Sequence, residues 1–138
     1  MVLRHWGRPV TGDAIIAASP LAPGRGIKAE ALREFARRQG MQAFLIQGQQ
    51  GDLEREIHRH RPVLVGMMKR YFFRNYPHYE VVVGINRQKQ RILTLDPANG
   101  LRVNGQDGFA TEWAKAGKPA LLIFPQPIDL HVSANASR

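Results

Sequence analysis

A histidine and an aspartate in the middle of the chain have the types and spacing of a catalytic acid–base pair. His78 stands just before the apolar run Tyr79 to Ile85, and Asp96 ends the next apolar run, Ile92 to Leu95. If the two runs are neighbouring strands, the imidazole and the carboxylate lie side by side, as a general base does with its orienting carboxylate. A nucleophile normally completes such a site, yet the 138 residues contain no cysteine.

The elements that must position this pair are helices followed mainly by strands. Periodicity and stop signals predict the end of a helix at 1–6, at most a short helix at 13–18, and helices at 28–39 and 109–116. A further helix is predicted to begin at an N-cap, Asp52. The predicted strands are 41–47, 63–67, 79–85, 92–95 and 120–124. This order favours an α+β fold with N-terminal helices packed on a mainly antiparallel sheet. We expect one domain over residues 1–126 and a polar tail over 127–138.

Composition and charge limit the classes of function. No apolar run is long enough to cross a bilayer, and the N-terminus lacks a signal-peptide pattern. The formal charge of +9 is compatible with a nucleic acid, anionic lipid or an acidic protein surface as partner. However, the arginines are scattered, and the chain has no zinc-finger spacing, aromatic RNA-binding strand or helix-turn-helix pattern. Nucleic-acid binding is therefore a minor hypothesis.

Other nucleophiles, metals and cofactors find little support. The hydroxyl candidates do not stand where a nucleophile would open a helix; they are Ser19, Ser133, Ser137, Thr11, Thr94 and Thr111. His58 and His60 are two residues apart and would face different ways on a helix, and no carboxylate spacing suggests a metal site. We expect no metal and no cofactor.

Five motifs, in order, resemble those of the double-glycine, bacteriocin-processing cysteine peptidases. They span nearly the whole chain, and the ordered set is more specific than any member. The motifs are the helix Gly26–Gly40, the strand start Arg61-Pro62-Val63-Leu64, Pro77-His78-Tyr79 with Val81-Val82-Val83-Gly84, Leu95-Asp96-Pro97 with Gly100, and Phe109 to Trp113.

This resemblance implies a papain-like fold in which His78 is the catalytic histidine and Asp96 orients it. The family's cysteine begins a helix whose end resembles Met1-Val-Leu-Arg-His-Trp-Gly7, so the cysteine and an oxyanion-hole glutamine are expected upstream of Met1. Either the chain starts at an internal methionine of a longer product, or it is a true, catalytically dead form. As given, we expect it not to hydrolyse peptides.

The aromatic stretch before His78, which contains Tyr71, Phe72, Phe73 and Tyr76, has two interpretations. It can pack beneath its own loop, which we expect of Phe72 or Phe73, or it can form a wall of a narrow groove that admits small residues. Tyr76 and Tyr79 are the candidates for that wall. Asp96-Pro97 followed by Asn99-Gly100 is also ordinary turn chemistry, and both roles can belong to one aspartate.

Two functions from different classes stay open. In complete form the domain would cleave a leader or precursor peptide, and an export transporter is a partner that the resemblance implies. The alternative is a non-catalytic peptide-binding module that kept the groove and lost the thiol, for example for cargo recognition in export. The compartment stays open, because a missing N-terminus could carry a signal for export.

Overall fold

This computed structural model describes residues 1–8, 10–18 and 27–126, which contain five helices and six strands. The helices are α1 (Val2–His5), α2 (Gly12–Ala18), α3 (Ala29–Arg38), α4 (Gln50–His58) and α5 (Gln106–Lys115). The strands are β1 (Met41–Gln47), β2 (Val63–Tyr71), β3 (Arg74–Asn86), β4 (Arg91–Asp96), β5 (Gly100–Gly105) and β6 (Pro119–Pro125). The polar tail predicted for 127–138 lies outside the described residues. None of these helices has the length and apolar character needed to cross a bilayer.

The strands join in one antiparallel sheet of order β1-β6-β2-β3-β4-β5. Helices cover both faces: Val81 of β3 packs in a core cluster with α1 and α3, and Val82 packs in a second cluster with α4 and α5. Because successive strand residues point to opposite faces, Tyr79 shares the α3 face, whereas His78 and Glu80 share the α5 face. The predicted α+β class and antiparallel sheet are confirmed.

The aromatic stretch is the end of a long hairpin rather than a loop leading to His78. Strands β2 and β3 pair as far as Tyr71 and Arg74, which leaves Phe72 and Phe73 as a two-residue turn. The sequence prediction began this strand at Tyr79 and placed Pro77 and His78 in the preceding loop. Here Pro77 pairs with Met68 of β2, but β3 extends beyond the end of β4, so on that side no strand needs the missing N–H.

The structure differs from the sequence prediction in two further elements. Strand β5 was not predicted, because its two apolar side chains, Leu101 and Val103, point to solvent on an edge strand and give no buried pattern. Helix α4 is capped by Gln49 instead of Asp52. Asp52 stands in the first turn, where its Oδ2 accepts the backbone N–H of Gln49 at 2.7 Å. A carboxylate at the third position of a helix reaches back to the N-cap residue in this way. The sequence alone did not show whether Asp52 is the N-cap or this third residue.

Close packing at Gly48, between β1 and α4, gives a stability prediction. A Cβ at this position would stand 2.8 Å from the Trp113 ring and 3.3 Å from the Ala120 Cβ, both in the core. We expect Gly48→Ala to lower the free energy of unfolding by about 1–3 kcal/mol through overpacking. Urea denaturation measures the change.

Gly51, on α4, is the matched control, because a Cβ there would meet nothing within 4 Å. Gly51→Ala should stabilise the helix by roughly 0.5–1 kcal/mol, since alanine loses less backbone entropy than glycine on folding. Equal effects of the two substitutions would show that the Trp113 contact does not constrain Gly48.

Candidate active site

The sheet brings His78 and Asp96 into contact. Val81 of β3 pairs with Leu95 of β4, so His78 lies just beyond the end of β4, where Asp96 is the last residue. The Nε2 atom of His78 is 3.1 Å from Oδ2 of Asp96. The carboxylate side chain is only 1% exposed and the imidazole is 21% exposed, so the acid is shielded and the ring reaches solvent.

Asp96 accepts hydrogen bonds from several directions. The backbone N–H of Ala98 donates to Oδ1 at 2.8 Å, and the side chains of Asn99 and Arg102 donate to Oδ2 at 3.3 and 3.2 Å. Burial by itself would raise the pKa of Asp96. The bonds from Ala98, Asn99, His78 and Arg102 outweigh burial and hold the pKa of this carboxyl well below its ordinary 3.8. Asp96 is therefore a charged acceptor at neutral pH.

This arrangement determines which ring nitrogen of His78 is available for chemistry. A charged carboxylate beside Nε2 favours the tautomer that carries its proton on Nε2, because only that tautomer donates to Asp96. The Nδ1 atom then keeps its lone pair. A group presented to Nδ1 can give up a proton there, which is what a general base requires.

A groove of about 700 Å³ lies beside His78. It occupies the notch beyond the end of β4 and is lined by Ile27, Lys28, Ala29, Glu30, Pro77, His78, Tyr79, Pro97 and Ala98. The Tyr79 hydroxyl donates to the backbone oxygen of Ile27 at 2.9 Å, which ties β3 to the residues that precede α3. Burial, together with the negative charge of Glu30, raises the pKa of Tyr79, so its phenol stays a donor.

Tyr76 has a different position from Tyr79. Its ring is 41% exposed and stands edge-to-face with the imidazole of His78, with the centroids 6.2 Å apart. It lines a concavity of the β2–β3 hairpin, whereas Tyr79 lines the groove beside His78. The part of either tyrosine in binding a substrate stays a prediction.

Charged and polar side chains are buried behind the pair, a feature that sequence reasoning missed. Glu80 is fully buried, and its Oε2 lies 2.9 Å from Nζ of Lys69 on β2, in an ion pair without an aligned hydrogen bond. The ammonium also donates to Glu112 of α5 at 3.2 Å. Thr94 donates to Oε1 of Glu80 at 2.6 Å and accepts from Asn104 at 2.9 Å. A lysine and a glutamate inside otherwise apolar strands were the signal that could have revealed this network.

The same region contains an imidazole and two carboxylates whose donor atoms lie within 4.8 Å of one another, from His78, Glu80 and Asp96. Such a set could in principle ligate a cation. However, Lys69 already neutralises Glu80, and Arg102 lies 3.2 Å from Asp96. A metal ion would have to displace both cations, so the charges present fit an ion-pair network better than a metal centre.

The threonine hydroxyls in the described residues make hydrogen bonds away from the groove. Thr94 is fully buried in the network, Thr11 Oγ1 accepts the N–H of Ala14 at the start of α2, and Thr111 donates to the backbone oxygen of Asp107. That these threonines are poor candidates for a nucleophile stays a prediction. Ser19, Ser133 and Ser137 lie outside the described residues.

Comparison with known proteins adds the family and the fold. The sequence model of the Peptidase C39 family matches residues 1–127. The peptidase domain of Streptococcus ComA, a bi-functional ABC transporter involved in a quorum sensing pathway, is similar in structure, with a TM-score of 0.73 at 21% identity over 91% of this chain and 85% of that chain. The peptidase domain of Streptococcus mutans ComA has a TM-score of 0.57 at 20% identity, over 83% and 90% of the two chains. The predicted papain-like fold is confirmed. No curated protein sequence matches significantly.

The depressed pKa of Asp96 predicts how stability depends on pH. A carboxyl whose pKa is lower in the folded than in the unfolded state stabilises the fold fully above the unfolded value, 3.8, and loses that contribution as the pH falls below it. Asp96→Asn should therefore be less stable than the wild type by roughly 1–3 kcal/mol at neutral pH, because Arg102 and the Ala98 N–H lose a charged acceptor. The difference in the free energy of unfolding between the wild type and Asp96→Asn should be smaller at about pH 3.

Urea unfolding at the two pH values measures this difference. Asp107→Asn is the control: it changes an exposed aspartate in the first turn of α5 and should cost at most about 1 kcal/mol. Identical midpoints for Asp96→Asn and the wild type at both pH values would contradict the stabilising role of the carboxylate.

Proposed function

The chain belongs to the Peptidase C39 family, and we propose that it is a cysteine-peptidase-like domain that takes a leader or precursor peptide into the groove beside His78. Cleavage requires a thiol, which polypeptide outside these 138 residues would supply. The observation that carries the proposal is the contact between His78 Nε2 and the buried Asp96 carboxylate at the mouth of the groove. In this proposal His78 is the general base and acid, and Asp96 orients it.

The chemistry follows from the free Nδ1 of His78. This atom accepts the proton of a thiol, and the thiolate attacks the scissile carbonyl carbon. The imidazolium then returns the proton to the leaving amine, so that the peptide bond breaks and a thioester remains. Water, deprotonated by the same nitrogen, hydrolyses the thioester and restores the thiol. Asp96 stays ionised throughout and holds the ring by Nε2.

Composition limits what the 138 residues do alone. They contain no cysteine, and the threonines of the described ranges donate to or accept from neighbours away from the groove. We therefore propose that the chain as given does not cleave peptides. For a partner, the similarity to the peptidase domain of an ABC transporter supports an export transporter whose cargo carries the peptide.

The test begins with the protein as its own cells make it. We expect its intact mass to exceed that of the 138 residues and a thiol reagent to abolish cleavage of precursor peptides that contain a pair of small residues. His78→Ala in that product should lower kcat/KM by about 10²–10⁴, the usual contribution of a general base, with a smaller change in KM. The 138-residue chain alone should show no hydrolysis.

His58→Ala is the matched control, because His58 is exposed at the end of α4 and does not line the groove. Its kcat/KM should equal that of the parent. Activity that survives His78→Ala undiminished would make the general-base assignment wrong. A cellular product that contains no cysteine would end the peptidase proposal and leave the second function.

The second function is a peptide-binding module without catalysis. It is favoured by one observation: the groove and the His78–Asp96 contact are present in a chain that has no thiol. In this case saturable peptide binding is the activity, and the transporter partner would use it to hold cargo.

Peptide titration followed by calorimetry tests this binding. Tyr79→Phe removes the hydrogen bond that ties β3 to Ile27, so the groove wall before α3 is held less firmly. Losing one such bond should weaken binding by roughly five-fold, about 1 kcal/mol. Tyr71→Phe, on the exposed end of the hairpin, is the control and should bind as the wild type does. An absence of saturable binding by the wild-type chain would contradict the module.

A further inference from the structure

The end of the β2–β3 hairpin exposes an unusual amount of aromatic surface. We name Tyr71, Phe72, Phe73 and Tyr76 the aromatic tip; their exposed fractions are 65%, 76%, 93% and 41%. The expectation that Phe72 or Phe73 packs beneath the loop is therefore wrong. The physical reason is that both occupy the two-residue turn, beyond the last strand pair, where no element of the described chain covers them. Their exposure needs another explanation.

Backbone conformation makes Phe72 more unusual still. It has φ of 54°, in the left-handed region, at the first position of a two-residue hairpin turn. Hairpins favour glycine there, because a side chain with Cβ is strained at positive φ. A phenylalanine at this position costs stability and gains little burial within the chain: it is 76% exposed and meets the equally peripheral Tyr71 ring edge-to-face at 4.6 Å. Such a residue is better explained by what it contacts outside the molecule.

The charges around the aromatic tip have one sign. From Gly66 to Tyr79 the chain contains no acidic residue. Lys69 is buried in its ion pairs, which leaves Arg70 and Arg74 exposed beside the turn. The Arg70 guanidinium donates to the backbone oxygen of Phe72 at 3.4 Å, which holds a cation next to the two phenylalanines.

We propose that the aromatic tip docks on the surface of a membrane that contains anionic lipid. The Phe72 and Phe73 rings enter the boundary between headgroups and acyl chains, and the arginines contact lipid phosphates. Tyr71 and Tyr76 lie farther back along the strands, where amphipathic rings suit the headgroup layer. Apolar rings on a protruding turn fit lipid better than a nucleic acid, whose bases stack on aromatic platforms within a cationic groove.

Docking would place the candidate active site near the bilayer. His78 lies on β3, five residues after Phe73 of the turn, a span of roughly 17 Å at the usual rise per residue of a strand. A peptide in the groove would then lie beside the membrane surface. The inference does not depend on catalysis, because it concerns the hairpin alone and the 138-residue chain suffices to test it.

Vesicle co-sedimentation at low salt is the experiment. The wild-type chain should bind vesicles of phosphatidylcholine and phosphatidylglycerol and bind pure phosphatidylcholine vesicles at least ten-fold more weakly. The double variant Phe72→Ser, Phe73→Ser should lose binding at least ten-fold, because it removes the inserted rings. Leu101→Ser, Val103→Ser is its control, since these apolar residues are also exposed, at 62% and 65%, but lie on β5, and binding should not change.

A second pair of variants separates local from overall charge. Arg70→Gln, Arg74→Gln should weaken binding about 25-fold, five-fold for each charge near the membrane. Arg59→Gln, Lys89→Gln removes the same net charge from exposed sites away from the hairpin and should have a much smaller effect. Equal losses in the two pairs would overturn the proposal, because general attraction of a basic protein would explain them.

A fluorescent variant reports on insertion. Phe73→Trp introduces an exposed indole. The natural Trp6 and Trp113 differ from it, because their indoles are at least partly buried and donate hydrogen bonds to backbone oxygens. Its emission, corrected for the wild type, should shift to the blue with anionic vesicles and be quenched by brominated lipid. No shift, or binding of single-stranded RNA that depends on Phe72 and Phe73 without any binding to vesicles, would overturn lipid docking.

Discussion

The carboxylate of Asp96 is the constraint on which the geometry of the candidate site depends. It joins four donors that come from β3, the turn after β4 and β5: His78, the Ala98 N–H, Asn99 and Arg102. A nearly fully buried carboxylate tolerates its loss of hydration only because these donors replace water. The same bonds determine the path of the turn and the orientation of the imidazole. The turn contacts and the contact with His78, which the sequence analysis expected could belong to one aspartate, therefore coexist in one side chain.

The buried ions behind the site connect it to the rest of the sheet. Lys69 cannot lie in the interior without partners, and it finds them in Glu80 on the next strand and Glu112 on α5. Removal of one member would leave the others charged in a poorly solvated place, which is strongly unfavourable. The pairing of β2 with β3 and the packing of α5 are thus coupled electrostatically. Since β3 also presents His78, the position of the imidazole depends on this pairing.

The functional picture combines a well-formed acid–base pair with a chain that contains no thiol. In the function proposed above, peptide binding needs only the groove between β3, the residues before α3 and the turn after Asp96, and all of these lie within the described residues. Cleavage needs a further group presented to Nδ1 of His78. The β2–β3 hairpin contributes a separate surface. There Phe72 has a strained positive φ, and the neighbouring aromatic side chains are exposed instead of packing in the core.

The sequence by itself determined the order of the five helices and of five of the six strands, and the contact of His78 with Asp96. These depend on local signals: the period of two in a strand, the turn residues after Asp96, and the adjacency of consecutive antiparallel strands. Tertiary structure alone decided that Lys69 pairs with Glu112, 43 residues away, that β5 joins the sheet edge, and that Phe73 is exposed. Burial and charge neutralisation depend on neighbours that are distant in the chain, and no local pattern specifies which of them meet.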